Sequence, residues 1–266
     1  SIAFSSHMDT VTPGNGIEPI IEDGIIRSKG DTILGGDDKS GIAAVMEAIR
    51  CIQEQGEAHK TIEVAFTVFE ERGMHGAKSF DISKIESSQA IVLDSGGPIG
   101  TIITTAPGQQ SLKITIKGKP AHAGLEPEAG VNALTVAADA ISKMQLSRID
   151  AETTANIGVV QGGQATNIVM PELYIEAEAR SLNDDKLAKQ VAHMVSAFEV
   201  AAAAHGASVE IDSTRSYNAY QILDDDAHVL EVKATFAAIG IDAMTKSTGG
   251  GSDANIFNAN GLKTVN

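Results

Sequence analysis

The chain has 266 residues, 42% of them hydrophobic, with mean hydropathy near zero, the make-up of a globular protein with room for one large domain or two ordinary ones. Twenty lysines and arginines against 35 acids leave a formal charge of −15, a field that repels nucleic-acid phosphates, and no apolar run approaches the ~20 residues a membrane span needs. Cys51 is the only cysteine, so internal disulfides are excluded and a reducing compartment, the cytoplasm, is expected.

Taken in chain order, Ile2-Ala3-Phe4 opens a strand that runs into His7-Met8-Asp9. Ile33-Leu34-Gly35-Gly36 is a loop leading to Asp37-Asp38, and Gly41–Cys51 is helical by composition and spacing. Cys51 is expected there as a small buried hydrophobe. Val64–Phe69 is a continuous apolar strand that stops at Glu70-Glu71, and Ile91-Val92-Leu93 is another that stops at Asp94. Solid apolar strands alternating with helices predict an open, mostly parallel α/β sheet with helices on both faces.

From residue 108 the pattern changes. Leu112, Ile114 and Ile116 alternate with polar residues, as on a half-exposed strand. Val131, Leu134, Ile141 and Met144 follow at helical spacing, and residues 154–161 form another strand. Leu173 to Arg180 alternates again, and Leu187, Val191, Met194, Val195 and Phe198 mark one face of a long helix stopped by Gly206. Val209 and Ile211 complete the order β-α-β-β-α-β, a ferredoxin-like α+β unit. A helix around 226–239 and a strand near 241–246 return to the first style. The expected organisation is therefore an α/β domain, residues 1–107 and 216–266, split by an inserted domain at 108–215. Ser1 opens inside a strand and Leu262–Asn266 reads as a further strand, so a fragment of a longer protein is expected.

Four apolar runs thus stop at His7 with Asp9, Asp37 with Asp38, Glu70 with Glu71, and Asp94. Ligands of open α/β sheets sit beyond the carboxyl ends of the strands, and one histidine with several carboxylates can hold divalent metal. Each stop alone has an ordinary explanation. His7-Met8-Asp9 fits a turn at a strand end, Asp37-Asp38 fits helix capping, and Glu70-Glu71 fits a solvated strand end. Thr248-Gly249-Gly250-Gly251-Ser252-Asp253 reads as a flexible turn and helix cap, or as free amides able to hold a carboxylate. His59, His193, His205 and His228 are expected on helix surfaces or turns, and no role is given to them or to His75.

Together the motifs resemble the dinuclear zinc peptidase and amidohydrolase family that includes peptidase T, glutamate carboxypeptidase and acetylornithine deacetylase. The likeness is carried by His7–Val11, Gly35–Gly41, Phe69–Gly73, Gly118–Gly124 and Gln164–Val169, and is nearest to the peptidase T branch. The resemblance implies two divalent ions, zinc or else cobalt or manganese. Asp37 would bridge them, His7 and Asp94 would complete one, and Glu71 would serve the other. Asp9 would orient His7 or the bridging ligand, and Glu70 would be the general base. The family's histidine on the second ion has no counterpart among the seven histidines here. His122 would be an oxyanion donor, often supplied across a dimer interface, Arg180 a clamp for a substrate carboxylate, and Asn167 a substrate contact. The ordinary readings are an exposed loop histidine for His122 and a cross-strand ion pair for Arg180.

The implied function is hydrolysis of short peptides at the N-terminal residue, in a homodimer formed through the inserted domain, without nucleic-acid or membrane partners. Deacylation of N-acyl or N-carbamoyl amino acids uses the same machinery and is the alternative. A non-catalytic metal- or peptide-binding module is the alternative of a different class.

Overall fold

A computed structural model describes residues 1–266. The chain opens with β1 (Ile2–His7), a hairpin of β2 (Pro19–Glu22) and β3 (Ile25–Ser28), and α1 (Gly36–Gln55). β4 (Ile62–Thr67), α2 (His75–Ser79), β5 (Gln89–Val92) and β6 (Thr101–Ala106) follow. β7 (Gly108–Lys117), α3 (Ala133–Ser142), β8 (Ser147–Arg148), β9 (Thr153–Gly162), β10 (Glu172–Ser181), α4 (Asp184–His205) and β11 (Ser208–Tyr217) come next. The last elements are β12 (Tyr220–Gln221), α5 (Ala227–Ala238), β13 (Met244–Ser247), α6 (Asp253–Ala259) and β14 (Lys263–Val265). They fall into two compact units, Ser1–Ala106 with Tyr220–Asn266, and Pro107–Ala219.

In the first unit β14, β5, β1 and β4 form a parallel sheet in that order. Its strands are short and carry small buried residues, Ala3, Ser5, Ala65, Ala90 and Thr264, which let helices approach closely. At Gly41 of α1 a Cβ would lie 2.4 Å from Ser6 Oγ, 2.7 Å from Asp38 Oδ1 and 2.9 Å from Leu93 Cβ, so only glycine lets this helix lie against β1. The helical conformation begins after Asp38, because Asp37 and Asp38 have non-helical backbone angles. α1 ends at Gly56, whose left-handed conformation turns its amide onto the Gln53 and Ile52 carbonyls. Parallel register puts His7 opposite Thr67, so β1 and β4 end at the same edge. β6 lies in a separate small sheet between β12 and β13.

The second unit is antiparallel, ordered β11-β7-β10-β9-β8. Counting β7, β9, β10 and β11 as one to four gives the order 4-1-3-2, the ferredoxin-like arrangement, with β8 added at the edge. One face is dry. Leu112, Ile114, Ile116, Leu173 and Ile175 pack under Val136, Ala140, Met194 and Phe198 of α3 and α4. The alternation seen in the sequence is thus the two-faced character of this sheet.

Two expectations about single residues fail. Cys51 is half-exposed beside Glu47, because it lies six residues from inward-facing Val45, well round a helix with 3.6 residues per turn. His228 is fully buried rather than on a surface, its Nε2–H donating to the Ala90 carbonyl at 2.9 Å. No helix is long and apolar enough to cross a membrane.

Candidate metal centre

The carboxyl edge of the parallel sheet brings His7, Asp9, Asp37, Glu70, Glu71 and Asp94 into one cleft. His7 is the last residue of β1 and is buried. Its Nδ1 faces only acceptors, the Asp9 carbonyl at 3.1 Å and the Asp9 carboxylate at 3.5 Å, so this nitrogen carries a proton. Nε2 points the other way, 3.2 Å from Asp37 Oδ1 and 3.8 Å from Asp94 Oδ1. Ligand atoms of His7, Asp37 and Glu71 lie within 4.8 Å of one another, and so do those of His7, Glu70 and Asp94 and those of Asp37, Asp38 and Asp94.

The glutamate pair does not continue the strand. β4 ends at Thr67, Phe69 takes a left-handed backbone (φ 57°), and a turn follows in which the Glu70 carbonyl accepts from the amides of Gly73 and Met74. Asp9 holds that turn. Its carboxylate accepts the Glu70 amide at 3.0 Å and the Glu71 amide at 3.3 Å. Two neighbouring side chains, which would diverge on a strand, thereby reach the same cleft.

Charge is crowded here without a lysine or arginine in an ion pair. Lys39 Nζ donates to the Asp9 carbonyl at 3.4 Å. Burial opposes a charge on His7, but the hydrogen bond and charge of Asp94, with the charges of Glu70 and Asp37, outweigh it and hold the imidazole up to about 10. Burial first, then Asp94, pushes Asp38 up to about 7. Burial, with Asp94 and Asp253, pushes Glu70 up to about 8. Burial also raises Asp94 and Glu71. Burial and mutual repulsion thus disfavour negative charge on these acids, and a divalent metal would relieve both, which suits a donor set of one imidazole and several carboxylates. A metal can replace the proton at His7 Nε2 while Nδ1 keeps its bond to Asp9.

The cleft has a volume of about 240 Å³, and Thr248, Gly250, Gly251 and Ser252 of the glycine-rich loop line it opposite the acids. A larger apolar cavity of about 440 Å³ lies between β1, β5 and α5 but holds no cluster of ligand atoms. Sequence reading gave no role to two buried residues at the site. Asp38 accepts the His7 amide at 3.3 Å. Asp253, the first residue of α6, accepts the Thr67 hydroxyl, is pushed up to about 6 chiefly by burial, and has an Oδ1 without a partner. Its place in a Gly-Gly-Gly-Ser-Asp run was the available signal.

The other three candidates lie in the second unit and do not form one cluster. His122 and Asn167 are neighbours. His122 forms a bridge with Ile168, and the Ala123 amide donates to the Asn167 carbonyl at 2.9 Å. That pair adjoins the start of β10, where Gly118 bonds the Pro171 carbonyl. Arg180 is at the far end of the same strand, on the order of 25 Å away at 3.3 Å per residue. Its guanidinium grips Glu178 on its own strand at 2.8 and 3.1 Å, so the ion pair is not cross-strand.

Residues 104–206 match a peptidase dimerisation domain of the M20 class, and residues 8–119 match M42 glutamyl aminopeptidase. The crystal structure of aminopeptidase PepT from Bacillus cereus is 48% identical with a TM-score of 0.90, covering all of this chain and 71% of its own. The chain belongs to the peptidase T-like branch of the M20 metallopeptidases. A tripeptidase structure from Staphylococcus aureus is 41% identical, with a TM-score of 0.95 over 99% of this chain and 71% of its own. The YqjE protein of Bacillus subtilis is 49% identical over all of this chain and 72% of its own length. Peptidases of this family are metal-dependent, and this chain gathers one histidine and several acids at metal-ligand spacing in one cleft.

Proposed function

We propose that this peptidase T-like chain forms the catalytic centre of a dinuclear aminopeptidase that removes the N-terminal residue from tripeptides and other short peptides. The observation that carries the reading is His7 Nε2 facing Asp37 and Asp94 while Glu70 and Glu71 enter the same cleft on a turn held by Asp9. Asp37 is assigned to both ions, His7 and Asp94 to one, and Glu71 to the other. Zinc is the expected metal, and cobalt or manganese suit the same donors. When bound, the ions would supply Lewis acidity to the peptide carbonyl and lower the pKa of water.

Glu70 is the proton carrier. Its carboxyl lies in the cleft beside His7 and Asp94, where it can take a proton from the attacking water and return it to the leaving amine. Asp9 keeps Glu70 and Glu71 at the angle this needs. His122 is retained as an oxyanion donor, Asn167 as a substrate contact and Arg180 as the clamp for a substrate carboxylate. These roles rest on the family resemblance, and Arg180 would exchange Glu178 for substrate. A homodimer through residues 104–206 is supported by the dimerisation-domain match, and the cytoplasm is proposed on the single cysteine.

The test is to incubate the zinc-loaded chain with tripeptides, dipeptides, and N-acetyl and N-carbamoyl amino acids, and to identify products by mass. Release of a free N-terminal residue from tripeptides supports the reading. Turnover confined to the N-acyl or N-carbamoyl compounds would replace it with the amidohydrolase alternative, and zinc binding without turnover of any substrate would favour a binding module.

A further inference from the structure

At the end of β14 the chain forks. The main chain of Val265 still pairs with Ile91 of β5. At Asn266 the main chain leaves β5 and pairs with β6, its carbonyl accepting from the Ile103 amide at 2.6 Å and its amide donating to the Ile103 carbonyl at 3.1 Å. The side chain goes the other way. Its Oδ1 accepts the Asp94 amide at 3.0 Å and its Nδ2 donates to the Asp94 carbonyl at 3.0 Å. A carboxamide here copies the donor and acceptor of a peptide group, so it continues the pairing of β5 by one residue after the strand neighbour has turned away. The second Nδ2 hydrogen reaches Ser252 Oγ at 3.0 Å, in the loop across the cleft. The network fixes the amide's orientation, since a flip would set NH₂ against the Asp94 amide and oxygen against its carbonyl.

We propose that Asn266 is a positioning residue for the metal centre, tying β6, the Asp94 end of β5 and the Ser252 end of the glycine-rich loop to one point. The inference rests on the reading of Asp94 as a metal ligand. Asp94 is the second residue beyond β5, after Leu93, and its main chain is held on both sides by one side-chain amide. Without that pairing the carboxylate would swing with the loop Ser95-Gly96-Gly97. Aspartate could accept the Asp94 amide but could not donate to the carbonyl. Glutamine has the right groups but carries them one methylene too far.

The test uses the full chain with zinc as the probe. Zinc affinity by calorimetry, melting of the metal-free protein, and hydrogen exchange at the Asp94 amide are measured for wild type, Asn266→Ala, Asn266→Gln and Asp94→Asn. Removing a group that orients a metal ligand costs about 10–100-fold in affinity. Asn266→Ala is expected to weaken by that factor the zinc event that Asp94→Asn abolishes, and to speed exchange at Asp94. Asn266→Gln, which keeps a polar amide and carries the same measurement should the alanine variant fail to fold, is expected not to rescue. A lower melting midpoint with zinc affinity within about twofold of wild type would make Asn266 merely structural. If Asp94→Asn itself binds zinc as wild type does, the ligand reading is what fails, and unchanged exchange at Asp94 in Asn266→Ala would then sink the positioning role as well.

Discussion

Acids are treated in opposite ways on the second unit and in the cleft of the first. On the second unit several are answered by cations. Asp139 meets Lys143 and His205, Asp150 and Glu152 share Lys186, Glu178 holds Arg180, and Glu210 holds Lys117. Asp139 and Asp150 accordingly sit below the ordinary carboxylate range, through hydrogen bonds from the Lys143 side chain and the Glu152 amide respectively. In the cleft of the first unit Asp38, Glu70, Glu71 and Asp94 crowd round one histidine and all are raised. An acidic chain is therefore not itself a metal signature. The informative feature is a group of acids that share one histidine and no lysine or arginine.

The contrast can be broken at several levels. The largest effect is expected from Glu70→Gln, which should cut tripeptide turnover by at least about 100-fold while zinc content stays that of wild type. Near-normal turnover with metal bound would remove Glu70 from the chemistry. Next comes the cation itself. Zinc at about 100 times its dissociation constant adds about 2.7 kcal/mol of stability and should raise the melting midpoint by about 5–10 °C, against no change after chelation.

The third effect is the pH response of the metal-free chain. Asp38 and Glu70 rise from ordinary values of 3.8 and 4.5 to about 7 and about 8, so they bind protons more tightly folded than unfolded. The stability they contribute is full below those ordinary values and is lost as pH rises through about 7 to 8. His7, raised from 6.5 to about 10, contributes stability that is full below 6.5 and goes as pH climbs toward 10. All three have the same sign, so the metal-free melting midpoint should fall between about pH 5 and 9, and zinc should flatten the fall. A midpoint that rises over this window without metal would mean the acids are answered from within. The smallest effect belongs to the second unit, where Lys186→Ala breaks two exposed pairs and should move the midpoint by no more than about 3 °C.

Both sheets could be read in the sequence because their burial patterns differ in period. The strands from 64 and from 91 read as solid because nearly every position is apolar, although Val64 lies exposed on the edge strand β4, while Leu173–Arg180 alternates because one face is wet. The acids at the strand ends were legible for a related reason, since a polar pair after six apolar residues marks where a strand leaves the sheet. What escaped depended on conformation rather than composition. Nothing in Phe69-Glu70-Glu71 announces a left-handed residue, yet that turn sends both glutamates into one cleft. His228 looks like any helix histidine until Ala90 offers it a carbonyl. Asn266 is an unremarkable residue whose role exists only because two sheets part there.

The contact at Gly41 sets how these parts respond to change. A methyl group at that position would collide at once with β1, with the strand bearing Asp94 and with Asp38. Relief must shift Ser6, Leu93 and the Asp38 carboxylate, or the helix that carries Asp37 and Asp38 at its head. Crowding at position 41 is therefore passed to the acids on α1 and to the segment before Asp94 together.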